Sequence, residues 1–303
     1  MPESPRKLEV QTRGGRRLEA LVDDASAGLP LVFHHGTPSA AVWSVSLAEA
    51  SRRAGLRLVL YSRPGYGGST PQPGRTVASA AKDVADLLNE LEAETFIAIG
   101  WSGGGPHALA CAAFLPDRCR AAVTIAGVAP YSAQGLDWLG AMAPENVEEF
   151  GAAARGEAVL TPMLEKWAEG LRKVQGPEVA ASLGGLVTDV DKQALTGEFA
   201  DELAASFRYA VSNGVAGWRD DDLAFTRDWG FPVESIRGPV SVWQGAEDRM
   251  VPFSHGQWLA SHIPGVSVNL HPEEGHISLR TNYLDAILND AVRLAGMVVS
   301  TGG

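Results

Sequence analysis

Five consecutive residues, Gly100-Trp101-Ser102-Gly103-Gly104, set a serine between two flanking glycines, each two positions away. The apolar run Phe96 to Ile99 before them reads as a buried strand. Pro106 to Leu115 after them reads as a helix with proline in its first turn, where a missing N–H costs nothing. The pattern is a G-x-S-x-G turn in the strand-then-helix setting that such a turn requires. A serine at its apex sits in strained backbone, and side chains two residues to either side would strike the neighbouring strand and helix. Gly100 and Gly104 remove those collisions. The helix that follows aims free N–H groups and its positive end at the serine, which favours negative charge developing on an acyl oxygen beside it. The chemistry expected of Ser102 is therefore nucleophilic attack.

A serine hydroxyl is a poor nucleophile until a base takes its proton, and that base needs a buried carboxylate to orient it. In an open α/β sheet both belong just past the carboxyl ends of strands, where the ligand crevice lies. His34 falls inside a strand, His107 on the serine helix, and His255 and His262 on a helix of surface type; His271 directly precedes Pro272. His276 sits in a Gly-flanked loop beyond the last strand and is the candidate base. Asp248 lies in the loop after the preceding strand, between Gly245 and Pro252, and is the candidate acid. Ser, Asp, His is the chain order expected of a nucleophile-elbow architecture. His35-Gly36-Thr37-Pro38 ends an earlier strand, so the N–H groups of Thr37 and Gly103 can point together at an oxyanion, although the tetrapeptide also fits an ordinary strand-ending turn.

The elements that must position these residues alternate. Leu18 to Val22, Leu31 to His35, Leu56 to Tyr61 and Arg120 to Ile125 read as strands, and Val77 to Leu91 as an amphipathic helix. This is the alternation of a mostly parallel sheet covered by helices on both faces. From about Ala129 to Ile236 the pattern turns helical. Strands resume at Val240 to Gln244 and Val266 to Leu270, a helix at Ser254 to His262 between them, and a last amphipathic helix carries Leu284, Ile287 and Leu288. Ser300 to Gly303 reads as a frayed tail.

The 303 residues carry a net charge of −11, so the surface field repels nucleic acid and anionic membranes and leaves a small molecule as the expected partner. Oligomeric state is not legible. The N-terminal stretch Met1 to Lys7 has no apolar segment behind its basic residues, and no run suits a membrane span, so a cytoplasmic protein is expected. Cys111 and Cys119 read as small buried residues in a reducing compartment. No H-E-x-x-H, cysteine cluster, phosphate loop or dinucleotide fingerprint is present, so neither a metal nor a cofactor is implied.

These motifs, with Arg63-Pro64-Gly65-Tyr66-Gly67-Gly68-Ser69, make the chain resemble the α/β-hydrolase superfamily from about Leu18 to Val299. The branch is the capped one of small-molecule esterases, proline iminopeptidases and epoxide hydrolases. The resemblance implies an α/β-hydrolase fold with a core of residues 1–128 and 237–303 and a helical cap, 129–236, inserted after the sixth strand. It implies a triad of Ser102, Asp248 and His276 in a serine hydrolase of carboxylesterase type that forms an acyl-enzyme from an apolar ester. Serine replaces the aspartate of epoxide hydrolases and haloalkane dehalogenases, which argues against both. Where relatives commonly carry aspartate, this chain has Ser62. Trp101 is the candidate for lining the pocket, with Tyr66 and His107 beside it. Amide or carbon–carbon bond hydrolysis by the same triad is a second reading, and a triad-bearing ligand-binding or signalling protein a third. Asp220, Asp221 and Asp222 read as a solvated turn, with amine binding as their alternative.

Overall fold

The apolar runs of the sequence pair into one eight-stranded sheet, seen in a computed structural model that describes residues 4–297. Met1 to Glu3 of the N-terminal stretch and the Ser300 to Gly303 tail lie outside the described residues. The first half of the chain runs β1 (Arg6–Gln11), β2 (Arg17–Val22), β3 (Leu29–His34), α1 (Val45–Arg53) and β4 (Leu56–Tyr61). It continues through α2 (Ser79–Glu90), β5 (Phe96–Trp101), α3 (Gly105–Phe114) and β6 (Cys119–Ile125). The strands lie in the order β1-β2-β4-β3-β5-β6, followed by β7 (Val240–Gly245) and β8 (Ser267–His271). β2 pairs antiparallel with β1 and β4, and every other pair is parallel.

Parallel strands covered on both faces bury both sets of alternating side chains. Leu31, Phe33, Ile97 and Ile99 pack with Leu47 of α1 and with Ile287 of α12 (Leu284–Leu294), while Val32 and Ala98 pack on the other face with Val84 of α2 and Leu109 of α3. The sheet is thus the middle layer of three, and its carboxyl ends form one edge.

Between β6 and β7 the chain runs through α4 (Pro144–Arg155), α5 (Glu157–Leu171), α6 (Val179–Ser182), α7 (Asp189–Ala194), α8 (Gly197–Ala210) and α9 (Ala216–Phe225). Among the described residues no strand interrupts this stretch. The aspartates expected as a solvated turn lie instead on α9, with Asp221 wholly buried. Its carboxylate meets Arg63 Nη2 at 2.6 Å, Arg75 Nη1 at 2.5 Å, and the hydroxyls of Tyr66 and Thr37 at 2.8 Å each; His107 Nε2 lies 3.3 Å away. Burial pushes this carboxyl up, but Arg63 and Arg75 more than reverse the effect and hold it well below the usual carboxylate range. Gly65, at φ +88°, lets the turn after β4 lie flat on α9, where a Cβ would come 2.6 Å from the Gly217 nitrogen.

His255, on α10 (Phe253–His262), is also buried rather than on a surface helix. It accepts the Ala129 N–H at Nδ1 (3.1 Å) and donates from Nε2 to the Trp138 carbonyl (2.9 Å), tying α10 to the start of the helical stretch. Acceptance at Nδ1 needs the neutral ring, and burial lowers its pKa to about 4.

Two stability predictions follow from these buried groups. Asp221→Asn leaves two buried arginines undercompensated and should cost about 3–5 kcal/mol in urea unfolding. Asp24→Asn, which removes a largely exposed partner of Arg6 and Arg57, should cost about 1 kcal/mol or less. For His255 the folded pKa lies below the unfolded one, so the unfolded chain alone takes up a proton between pH 6.5 and 4. Across that window the wild type should lose about 1.4 kcal/mol per pH unit relative to His255→Gln, whose amide can make both bonds without titrating. Parallel stability curves would contradict this.

Candidate active site

Ser102 follows β5 directly and holds a left-handed φ of +56°, the strained backbone that the turn demands of a non-glycine residue. The flanking glycines are required by space. A Cβ on Gly100 would lie 2.1 Å from the Gly104 carbonyl oxygen, and one on Gly104 would lie 2.0 Å from that of His34. The helix starts at Gly105, one residue before the proline, because Ser102 to Gly104 already form a 3₁₀ turn leading into it.

His276 opens α11 (His276–Asn282), beyond the end of β8, and is buried. Its Nδ1 lies 2.8 Å from Asp248 Oδ2, in the loop after β7. The remaining capacity of Asp248 is filled: Oδ1 accepts the Met250 and Val251 N–H groups at 2.8 Å each, and Oδ2 accepts Gln244 Nε2 at 3.1 Å. A carboxylate partner makes Nδ1 the protonated nitrogen and leaves Nε2 as the free one. Burial opposes charge on this ring, yet the Asp248 carboxylate, by charge and hydrogen bond, and the charge of Asp191 outweigh it and raise its pKa above the ordinary value. The Trp101 indole N–H donates to the His276 carbonyl at 3.1 Å, which ties the serine turn to the histidine helix.

The loop after β3 crosses over the serine. A Cβ on Gly36 would lie 3.4 Å from Ser102 Cβ, and one on Gly103 would lie 2.4 Å from Thr37 Oγ1, so Thr37 and Gly103 are neighbours. Arg63 fixes this loop from behind by donating to the carbonyls of His35 (2.5 Å) and Gly36 (3.0 Å) and to the Thr37 hydroxyl (3.0 Å). Ser62, where the resemblance led one to expect aspartate, donates to Glu19 (2.8 Å) and accepts the Ala41 N–H (3.0 Å), joining the loop after β4 to β2 and to the loop after β3.

Ser102, Thr37, Gly103, Trp101 and His276 line one cavity of about 500 Å³ together with the aromatic side chains of Phe150, Trp167, Phe207, Trp218 and Phe225. Trp101 therefore sits where the sequence suggested. Tyr66 and His107 do not line it: both side chains are spent on Asp221, and burial, the largest effect on His107, takes its pKa down to about 4.

Sequence reasoning missed the cavity's acids. Glu145, Glu148, Glu149 and Asp222 all line it, with no lysine or arginine among the described lining residues. Glu149 and Asp222 are buried against each other; Glu149 accepts the Trp218 indole N–H (2.5 Å), whereas Asp222 faces no donor of its own. Burial and the neighbouring Glu149 carboxylate push Asp222 well above the usual carboxylate range, and burial raises Glu149. The only local trace is three successive aspartates. Among the described residues, no three His, Cys, Asp or Glu converge to hold a metal ion, and no helix is long and apolar enough to cross a membrane.

The chain is similar to several known proteins over most of its length. A non-heme chloroperoxidase of Streptomyces lividans is 30% identical over 236 residues, covering 75% of this chain and 77% of that one. A pimeloyl-[acyl-carrier protein] methyl ester esterase of Aromatoleum aromaticum is 28% identical over 246 residues, covering 79% and 89%. Among solved structures, an alpha/beta hydrolase fold protein from Nakamurella multipartita superposes with a TM-score of 0.68 at 25% identity, covering 96% of this chain and 100% of that one. The family model for the alpha/beta hydrolase fold matches residues 30–283, so the chain belongs to the α/β-hydrolase family.

Proposed function

We propose that the protein is a serine hydrolase that cleaves a small, largely apolar carboxylic ester through an acyl-enzyme intermediate. The observation that carries the reading is the 2.8 Å contact between His276 Nδ1 and a fully occupied Asp248, on a histidine that shares a cavity with the left-handed Ser102. The esterase among the relatives supports it.

In this reading His276 Nε2 takes the Ser102 proton as Oγ attacks the ester carbonyl carbon. The N–H groups of Thr37 and Gly103 hold the resulting oxyanion, each worth about 10²- to 10³-fold in turnover. His276 passes its proton to the leaving alcohol oxygen, the acyl group stays on Ser102, and a water deprotonated by His276 then releases the acid. Asp248 remains charged and stabilises the imidazolium. The helical stretch 129–236 serves as the cap that closes the cavity and supplies its aromatic wall. The buried, unpaired thiols of Cys111 and Cys119 suit a reducing, cytoplasmic setting.

The one-sided acidic lining bears on substrate choice. A second carboxylate on the substrate would face four protein carboxyls and no lysine or arginine among the described lining residues, so neutral esters are preferred. With p-nitrophenyl butyrate, Ser102→Ala should lower kcat by about 10⁴-fold or more. A p-nitrophenyl monoester of a dicarboxylic acid should show a kcat/KM at least about tenfold below that of the neutral ester of equal length. Wild-type turnover in the Ser102→Ala protein would overturn the reading.

A further inference from the structure

The first turn of α11 carries His276, yet the residue in front of it, Gly275, has no side chain with which to satisfy that turn's free N–H groups. A carboxylate from far along the chain does so instead. Asp191, on α7, is fully buried and accepts the N–H groups of His276 (3.2 Å), Ile277 (2.8 Å) and Ser278 (3.0 Å). Thr188 steadies it with a 3.3 Å hydroxyl bond. The glycine at 275 is explained by this contact and not by its backbone, because φ −96° and ψ −155° suit any residue. A Cβ at 275 would lie 2.4 Å from Asp191 Oδ1, so Asp191 occupies the space an ordinary capping side chain would need.

We propose that Asp191 is a positioning residue for the reaction: it caps the helix of the base from the helical stretch between β6 and β7, so that His276 is held in register only while α7 is docked. The proposal rests on His276 being the base. It makes the cap part of the catalytic geometry and not only a wall. When α7 lifts, the helix loses three hydrogen bonds in its first turn, one of them at the residue that must reach Ser102, and the closed state becomes the competent one. The charged groups that face His276 are Asp248, from the loop after β7, and Asp191, from α7. Removing the charge of Asp191 therefore lowers the basicity of the ring as well as loosening its backbone.

Four proteins test this with one neutral p-nitrophenyl ester: wild type, Asp191→Ala, Asp191→Asn and the double variant Asp191→Ala/Gly275→Ser. In the double variant the capping oxygen comes from within the chain, in space that Asp191 has vacated. Asp191→Ala should lower kcat by about 10- to 100-fold with little change in KM, and amide exchange at 276–278 should speed up. Asp191→Asn keeps an acceptor oxygen and should retain more activity. Its acidic limb of kcat/KM should move to lower pH, because the base must be neutral and its pKa has fallen. The double variant should recover kcat to within about threefold of wild type. If Asp191→Ala does not fold, Asp191→Asn and the double variant carry the test. An unchanged kcat and pH limb in Asp191→Asn, with no rescue by Gly275→Ser, would overturn the role of Asp191. The serine-hydrolase reading would survive that outcome and falls only if Ser102→Ala is as active as wild type.

Discussion

A single carboxylate, Asp221, has no contact with solvent and is held by two arginines, two hydroxyls and an imidazole that come from four separate stretches of the chain. Removing such a charge from water costs several kcal/mol, and only a complete set of partners offsets it. The helical stretch must therefore seat α9 against Arg63, Tyr66, Arg75 and His107 together or not at all. The same Arg63 holds the backbone of residues 35–37, so the requirement that docks α9 also sets the loop carrying Thr37 over Ser102. The geometry of one edge of the sheet follows from the desolvation of one group.

The other buried acids divide by what faces them. Asp248 has four donors and Asp191 four, three of them backbone N–H groups at the start of α11. Glu149 and Asp222 face mainly each other, and burial there raises both carboxyls above their usual range. The first kind fixes backbone and orients side chains; the second faces the cavity, where a substrate meets it. Four of these acids belong to the helical stretch between β6 and β7, and two of them, Asp221 and Asp191, act on residues of the sheet edge. The helical stretch and the sheet edge are therefore mechanically one unit.

Much of the fold and the core of the site was legible locally. Buried parallel strands announce themselves as apolar runs, and the crowding between Gly100, Gly104 and His34 explains why a short glycine pattern located Ser102. The pairing of His276 with Asp248 was legible because strand ends restrict which loops can meet at that edge. What escaped has no local signal. β1 is a largely exposed edge strand rich in charged and polar residues, and α1 is a short helix with a weakly apolar face, capped by Ser44. Three aspartates in a row look solvated unless one knows that arginines 146 and 158 residues away converge on the middle one. Tyr66 and His107 lie near the serine in sequence or on its helix, but Asp221 claims their polar atoms. Asp191 contacts a helix 85 to 87 residues distant, and only the otherwise unexplained Gly275 hinted that something filled its place.

The central claim is that the strained serine is a nucleophile activated by the His276–Asp248 pair. It is tested most directly by treating the native protein with a fluorophosphonate and mapping the adduct by peptide mass spectrometry. The account predicts one adduct, on Ser102, whose rate of formation collapses in His276→Ala. An adduct on another residue, or a native protein that forms none, would contradict it.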